Sequence, residues 1–221
     1  MDYERNSDCW YNHVCQSESC NQCIRYEEMK HLMDSSGIPK IRQVPVYLRP
    51  DKIDFYSFCD LANIKDDIED WVCNSEKNLY ICSNNTGNGK TTWAIKLMLK
   101  YFDCIWAGNG FRTRGLFIHV PTLLLNLKNF QTPVSAEYKN DILTCDLVIF
   151  DDIAVSGISQ YDYNNLLMFI DNRILNGKNN IFTSNKTSKN SLEDTIGSRL
   201  ASRIWDTSQI IELKGKDRRN G

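Results

Sequence analysis

A chain of 221 residues, 42% of them hydrophobic, can bury a sizeable core, and its length suits one domain with a small appendage. The formal net charge of -2 excludes a surface coated in basic residues for tight non-specific nucleic-acid binding, so any DNA contact is confined to one face. No apolar run approaches a bilayer span, and the start "MDYERNSD" is polar and acidic where a signal peptide is basic and then apolar; a cytoplasmic protein away from membranes is expected.

The first feature in chain order is a cysteine cluster. Cys9, Cys15, Cys20 and Cys23 account for four of the nine cysteines, and without an export signal they read as thiols or metal ligands. Four thiolates are what a closed tetrahedral Zn²⁺ site needs, with His13 able to replace one. The x2 gap makes a good knuckle, but the x5 and x4 gaps match no standard finger, so zinc and unliganded thiols both stand. So short a segment has too little apolar content to fold alone, and a metal would supply its stability. The other five cysteines are scattered through apolar or helical stretches, as small buried side chains are.

"IRYEEMKHLMDSSG" follows, with Ile24, Leu32 and Met33 near helical spacing and a stop at Gly37 before Pro39. Pro39, Pro45 and Pro50 then punctuate an extended linker. The expected organisation is a Cys-rich module over 1–37, a linker over 38–52 and a larger domain over 53–221. In that domain helices are expected near 54–62 and 64–74, then strand "LYICS", a glycine loop and helix "KTTWAIKLMLKYF". Further strands are 115–120, 146–151, 180–185 and 209–213, separated by helices over 121–130, 135–145, 161–177 and 198–205. Short apolar strands alternating with helices predict an α/β fold: a five-stranded, mostly parallel sheet flanked by helices.

The loop "NNTGNGKTT" carries the chemistry. A strand, a glycine loop and an amphipathic helix in that order place consecutive backbone N–H groups in one concavity at a helix N-terminus, which suits phosphate. The candidate phosphate-binding residues are Asn85, Thr86, Gly87, Asn88, Gly89, Lys90, Thr91 and Thr92; Lys90 can reach the outer phosphates and Thr91 can ligate Mg²⁺. Asn84 stands where the usual pattern has its first glycine, and asparagine is the side chain that best tolerates a positive φ. "LVIFDD" places Asp151 to share that Mg²⁺ and Asp152 near an attacking water. Asn185, ending "NIFTSN", can orient the water, or it simply starts a turn. In "GSRLASR", Arg199 and Arg203 lie one helical turn apart, either as solvated surface or as fingers reaching a neighbouring subunit's γ-phosphate.

In this order and spacing, "NNTGNGKTT", "LVIFDD", "NIFTSN" and "GSRLASRIW" resemble the AAA+ ATPases of the DnaC-like helicase-loader family, in particular the short replication proteins of phages and prophages. The resemblance covers the core from about residue 53 onward and, less specifically, the cysteine front. It implies a P-loop AAA+ core and an ATP- and Mg²⁺-dependent factor that binds a DnaB-type replicative helicase and helps place it on single-stranded DNA. It further implies an ATP-dependent homo-oligomer, with the cysteine front and the helix after it as the helicase contact. Position by position, Lys90, Thr91 and Asp151 match the phosphate-loop lysine and the Mg²⁺ ligands, and Asn185 matches the first sensor. Arg199 and Arg203 match the arginine-finger region, and Arg218 matches more weakly a second phosphate sensor. Asp152 stands where many AAA+ proteins have a glutamate; being one methylene shorter, it predicts slow, switch-like hydrolysis.

For single-stranded DNA, "WAGNGFRTRG" offers Trp106 and Phe111 as stacking faces with Arg112 and Arg114 for phosphate, or the two rings merely pack a loop. Two other readings compete with the loader. A transposase-helper ATPase of the related IstB-like type shares the core but does not need the cysteine front. A P-loop nucleoside or nucleotide kinase predicts an arginine-rich lid and has no use for "NIFTSN" with "GSRLASR".

Overall fold

The computed structural model describes residues 9, 15, 23–43, 47–108, 110–128 and 135–218. Five parallel strands form one sheet in the order β2-β3-β4-β1-β5: β1 (Asn78–Cys82), β2 (Gly115–His119), β3 (Leu147–Asp151), β4 (Asn179–Ser184) and β5 (Ser208–Glu212). Every pairing is parallel, and the three inner strands β3, β4 and β1, with the edge strand β2, are almost wholly buried, as continuous apolar runs such as "LVIF" require.

Alternation along each strand feeds two apolar layers. Leu79 and Ile81 of β1, with Ile149 and Ile181, pack under α1 (Ile24–Ser35), α2 (Phe55–Asp66), α3 (Ile68–Asn74) and α4 (Lys90–Ile105). Tyr80, Cys82, Phe150 and Phe182 face the other way, toward α5 (Val120–Lys128), α6 (Ala136–Thr144), α7 (Gln160–Leu175), α8 (Lys189–Ile196) and α9 (Ser198–Trp205). Among the described residues no helix is long and apolar enough to cross a membrane.

Three features differ from the sequence expectation. The first is α1, which is built into the first layer: Met29, Leu32 and Met33 are buried, Arg25 pairs with Asp103 of α4 at 2.6 Å, and the Ser36 carbonyl accepts from Phe117 N–H at the sheet edge. Ile24, expected on the apolar face, is exposed because it lies round the helix from the Met29–Leu32–Met33 stripe. The second is the proline-rich stretch, where Ile38 is buried and short 3₁₀ turns at Lys40–Arg42 and Lys52–Asp54 replace a plain extended linker. The third is α8, which the sequence reading passes over. Ser188 and Ser191 form its capping box, and Leu192 and Ile196, one turn apart, bury its short apolar face.

Arg173 of α7 is fully buried, beyond the reach of any amphipathic pattern. Its guanidinium donates to Asn180 Oδ1 at 2.6 Å and to the carbonyls of Ile142, Cys145 and Asn179 at 2.8 to 2.9 Å, joining α6, α7 and β4.

Candidate functional site

The loop between β1 and α4 is set by its own side chains and two left-handed glycines. Asn88 is buried, and its amide donates to Ser83 Oγ and, at 3.0 Å, to the Leu213 carbonyl. Gly87 (φ 69°) and Gly89 (φ 107°) take angles that side chains resist; a Cβ at Gly87 would also strike the Asp217 carboxylate, and one at Gly89 would meet Leu48 at 3.2 Å. Asn84 needs no such tolerance, because among the described non-glycine residues only Phe111 and Asp152 have positive φ. Its Oδ1 instead accepts from Thr187 Oγ1 at 3.2 Å, tying the loop to the turn after β4.

At the head of α4, Lys90 Nζ donates to the Asn85 carbonyl at 2.9 Å, so its ammonium lies across the loop. Thr91 Oγ1 donates to Asp151 Oδ1 at 2.7 Å, which brings residues sixty positions apart into one polar centre. The same Oδ1 accepts from Thr183 Oγ1 at 2.7 Å, and Thr183 Oγ1 in turn accepts from Asp152 N–H at 3.0 Å. The β3–β4 register, with Phe150 opposite Phe182, makes this contact automatic. Sequence reasoning missed Thr183; the available signal was its position two residues before Asn185 on the same strand face. Asp152 sits at φ 57°, a sparsely populated conformation for a side-chain-bearing residue and the kind of strain that clusters at functional sites.

The loop and the head of α4 line a cleft of about 810 Å³, with Asp151 and Thr183 buried behind Thr91. Thr86 to Thr92, Asp152 and Asn185 form its polar end, while Met33, Ile41, Ile95 and Leu99 floor the rest. Lys96 also lines it; burial, and then the neighbouring charge of Lys65, holds its ammonium below the usual range. Cys82, at the end of β1, is no nucleophile: burial first, and Glu212 second, push its thiol up to about 12.

Other predicted residues lie elsewhere. Arg199 and Arg203 are outside the cleft lining, well exposed on α9, and share Asp171 of α7 at 3.7 and 2.8 Å. Arg218, expected as a second sensor, is turned to carboxylates and carbonyls beside the loop and is not among the residues that line the cleft. Trp106 is half-buried under the Arg25 guanidinium at 5.5 Å, and Phe111 meets the His31 ring edge-on at 5.2 Å. Arg114 is bound to Asp146 and Tyr101, whereas Phe111 and Arg112 of that expected DNA surface are exposed. Cys9, Cys15 and Cys23 are partly exposed, while Cys20 and His13 lie outside the described residues. Among the described residues no three His, Cys, Asp or Glu side chains converge as a metal site, so zinc rests on spacing alone.

The Asp146 site is structural and has a pH signature. Burial would raise its carboxyl, but hydrogen bonds from Arg114 and Tyr101, with the charges of Arg114 and Lys178, outweigh burial and hold it below the usual carboxylate range. A depressed folded-state pKa contributes stability above the unfolded value of about 3.9, and that stability is lost as pH falls through the folded value. Asp146→Asn is therefore expected to lower the melting temperature at pH 7, with the gap from wild type narrowing below about pH 4 in thermal melts across pH.

With the geometry in place, the sequence profile of the IstB-like ATP binding proteins matches residues 24–220. The chain belongs to the IstB-like ATP-binding family. The match starts at the first residue of α1 and takes in the whole sheet, in keeping with the packing of α1 into the core. No curated protein matches this family member. Among solved structures, a candidate primosome component from Streptococcus pyogenes serotype M3 superposes with TM-score 0.65 at 20% identity, over 86% of this chain and 98% of that one. DnaI superposes with TM-score 0.63 at 18% identity, over 83% of this chain and 95% of its own. The DnaC helicase loader does so with TM-score 0.60 at 17% identity, over 76% and 94%. At these identities the likeness is one of fold: this IstB-like protein shares the architecture of those three structures.

Proposed function

We propose that this protein is an ATP-dependent loader of a DnaB-type replicative helicase, hydrolysing ATP slowly as a switch in DNA replication. The observation that carries the ATPase reading is the Thr91–Asp151–Thr183 centre, whose Thr91 lines the same cleft as Lys90, Asp152 and Asn185, with Asp151 and Thr183 buried directly behind it. Likeness of fold to the DnaC helicase loader and DnaI supports the loader over a kinase, as does the order of the motifs in the sequence.

In this reading MgATP is the substrate. The residues present fit it: the loop presents N–H groups at the start of α4, the Lys90 ammonium lies across the loop, and the Thr91 hydroxyl and Asp151 carboxylate are close enough to share one cation. When bound, Mg²⁺ neutralises charge on the β- and γ-phosphate oxygens. Asp152 takes the proton of the attacking water and Asn185 orients that water. The short, strained Asp152 reaches less far than a glutamate, which favours slow turnover.

In this reading one of Arg199 and Arg203, both exposed and paired with Asp171, serves as the finger toward a neighbouring protomer's γ-phosphate in an ATP-dependent homo-oligomer. The domain reading is a cysteine-bearing front over 1–37 whose helix α1 docks on the core, a connector over 38–52 and the ATPase over 53–221, with the cysteines and the helix after them as the helicase contact. Single-stranded DNA remains part of the proposal through the role of a loader.

The test is capture from host lysate with ATP, comparing wild type with a Cys9→Ser, Cys23→Ser variant, alongside ATP turnover by the purified protein. Recovery of the replicative helicase by wild type alone, with slow basal turnover, is the expected result. Capture of a transposase without any helicase would favour the transposase-helper reading, which family membership also supports. Motor-like turnover without partner or DNA would overturn the switch.

A further inference from the structure

The outer side of the phosphate loop is stitched to the end of the chain. Leu213 N–H donates to the Cys82 carbonyl at 2.8 Å, Asn85 and Asn88 side chains donate to the Gly215 and Leu213 carbonyls at 3.0 Å, and Arg218 N–H donates to the Gly87 carbonyl at 2.9 Å. The Arg218 guanidinium then closes the strap. Its Nε donates to the Asn88 carbonyl at 3.1 Å, one terminal nitrogen to the Arg49 carbonyl, and the other to Asp54 Oδ2 at 2.8 Å and Asp51 Oδ2 at 3.5 Å. Asp54 is fully buried, and its second oxygen accepts from Lys214 N–H. Phe58 lies under the guanidinium at 5.1 Å.

Peptide planarity gives these bonds a consequence inside the loop. In a trans peptide the carbonyl of one residue and the N–H of the next point in opposite directions. With the Gly87 and Asn88 carbonyls drawn outward to Arg218, the N–H groups of Asn88 and Gly89 are turned away from the strap, toward the loop's concavity.

We propose that the Arg218–Asp54 pair is a latch that sets the direction of the loop's phosphate-binding N–H groups. Arg218 is thus a positioning residue for nucleotide affinity, with no role in sensing the γ-phosphate. Every nitrogen of its guanidinium is engaged outside the cleft, so it cannot reach a bound phosphate without breaking the latch. The inference rests on the nucleotide reading of the cleft, and it separates from that reading as follows.

Dissociation constants for ADP and ATP, each with Mg²⁺, are measured for wild type, Arg218→Met, Arg218→Lys, Asp54→Asn and the Arg218→Met, Asp54→Asn pair, with kcat and KM where turnover is seen. Loss of charge-assisted bonds predicts that Arg218→Met weakens ADP and ATP by the same factor, about tenfold, raising KM more than it lowers kcat. Arg218→Lys keeps the charge but not the fork and is expected to fall between, and the double variant to lose little more than either single one. Selective loss of ATP over ADP with a fall in kcat would restore the sensor role and overturn the latch. Unchanged affinity for both nucleotides would overturn it too. Amide exchange at residues 87–89 keeps the test open should wild type bind neither nucleotide, which would sink the nucleotide reading, or should Arg218→Met fail to fold. The latch predicts faster exchange in Arg218→Lys, and unchanged exchange would refute it.

Discussion

Asp151→Asn is expected to lower ATP turnover by a hundredfold or more while leaving nucleotide affinity in EDTA close to wild type. The substitution keeps the shape and the Oδ1 acceptor, so both hydroxyl contacts, from Thr91 and Thr183 at 2.7 Å each, survive and the β3–β4 junction stays intact. What is lost is the negative charge beside the Thr91 hydroxyl. A cation held by Thr91 and Asp151 would supply several kcal/mol to a phosphoryl-transfer transition state, and each 1.36 kcal/mol is a factor of ten in rate. Single-turnover rates against Mg²⁺ concentration, with nucleotide binding measured separately, check the split. A variant that hydrolyses ATP at the wild-type rate would remove Asp151 from the site. Thr183→Val gives a second arm: it removes the hydroxyl that supports both Asp151 and the Asp152 N–H, and a smaller loss of rate at unchanged affinity is expected.

Arg173→Met is expected to be the most destabilising single change in the sheet's second layer, at about 3 to 5 kcal/mol, a fall on the order of 10 °C in melting temperature. Methionine fills the volume but donates nothing, so the Ile142, Cys145 and Asn179 carbonyls and the Asn180 side chain lose donors in a site water does not reach. Arg173→Lys restores charge but cannot fork to three elements and should recover only part of the loss. Because Arg173 does not line the nucleotide cleft, affinity for ATP well below the melting transition should match wild type. Urea unfolding and calorimetry are the direct checks; a change under 1 kcal/mol would mean that the network is solvated and replaceable.

The parts of the site that were legible in the sequence share one property: their meaning is carried by neighbours along the chain. The glycine loop between a strand and a helix, the aspartates ending "LVIFDD" and the asparagine ending "NIFTSN" each sit at a strand tip, and in a parallel sheet adjacent strand tips share one edge. The five strands were legible for the same reason, their boundaries shifting by a residue at most. Ile24, α8 and the proline-rich connector were misjudged or missed because burial there depends on which surface the segment meets. Met29, Leu32 and Met33 make a good stripe, but only contact with α4 and the β2 edge reveals that the stripe is buried against the sheet.

Local pattern by itself thus determined the fold class and the gathering of Lys90, Thr91, Asp151, Asp152 and Asn185 at one edge of the sheet. The tertiary structure alone decided that Asn84 is unstrained, that Thr183 bridges both aspartates and that Arg199 and Arg203 sit away from their own cleft. It also joined Arg218 to the outer side of the loop. The physical reason is separation along the chain. Arg218 reaches Asn88 across 130 residues and Asp54 across 164, and no periodicity records a hydrogen bond between segments that meet only after the sheet has formed.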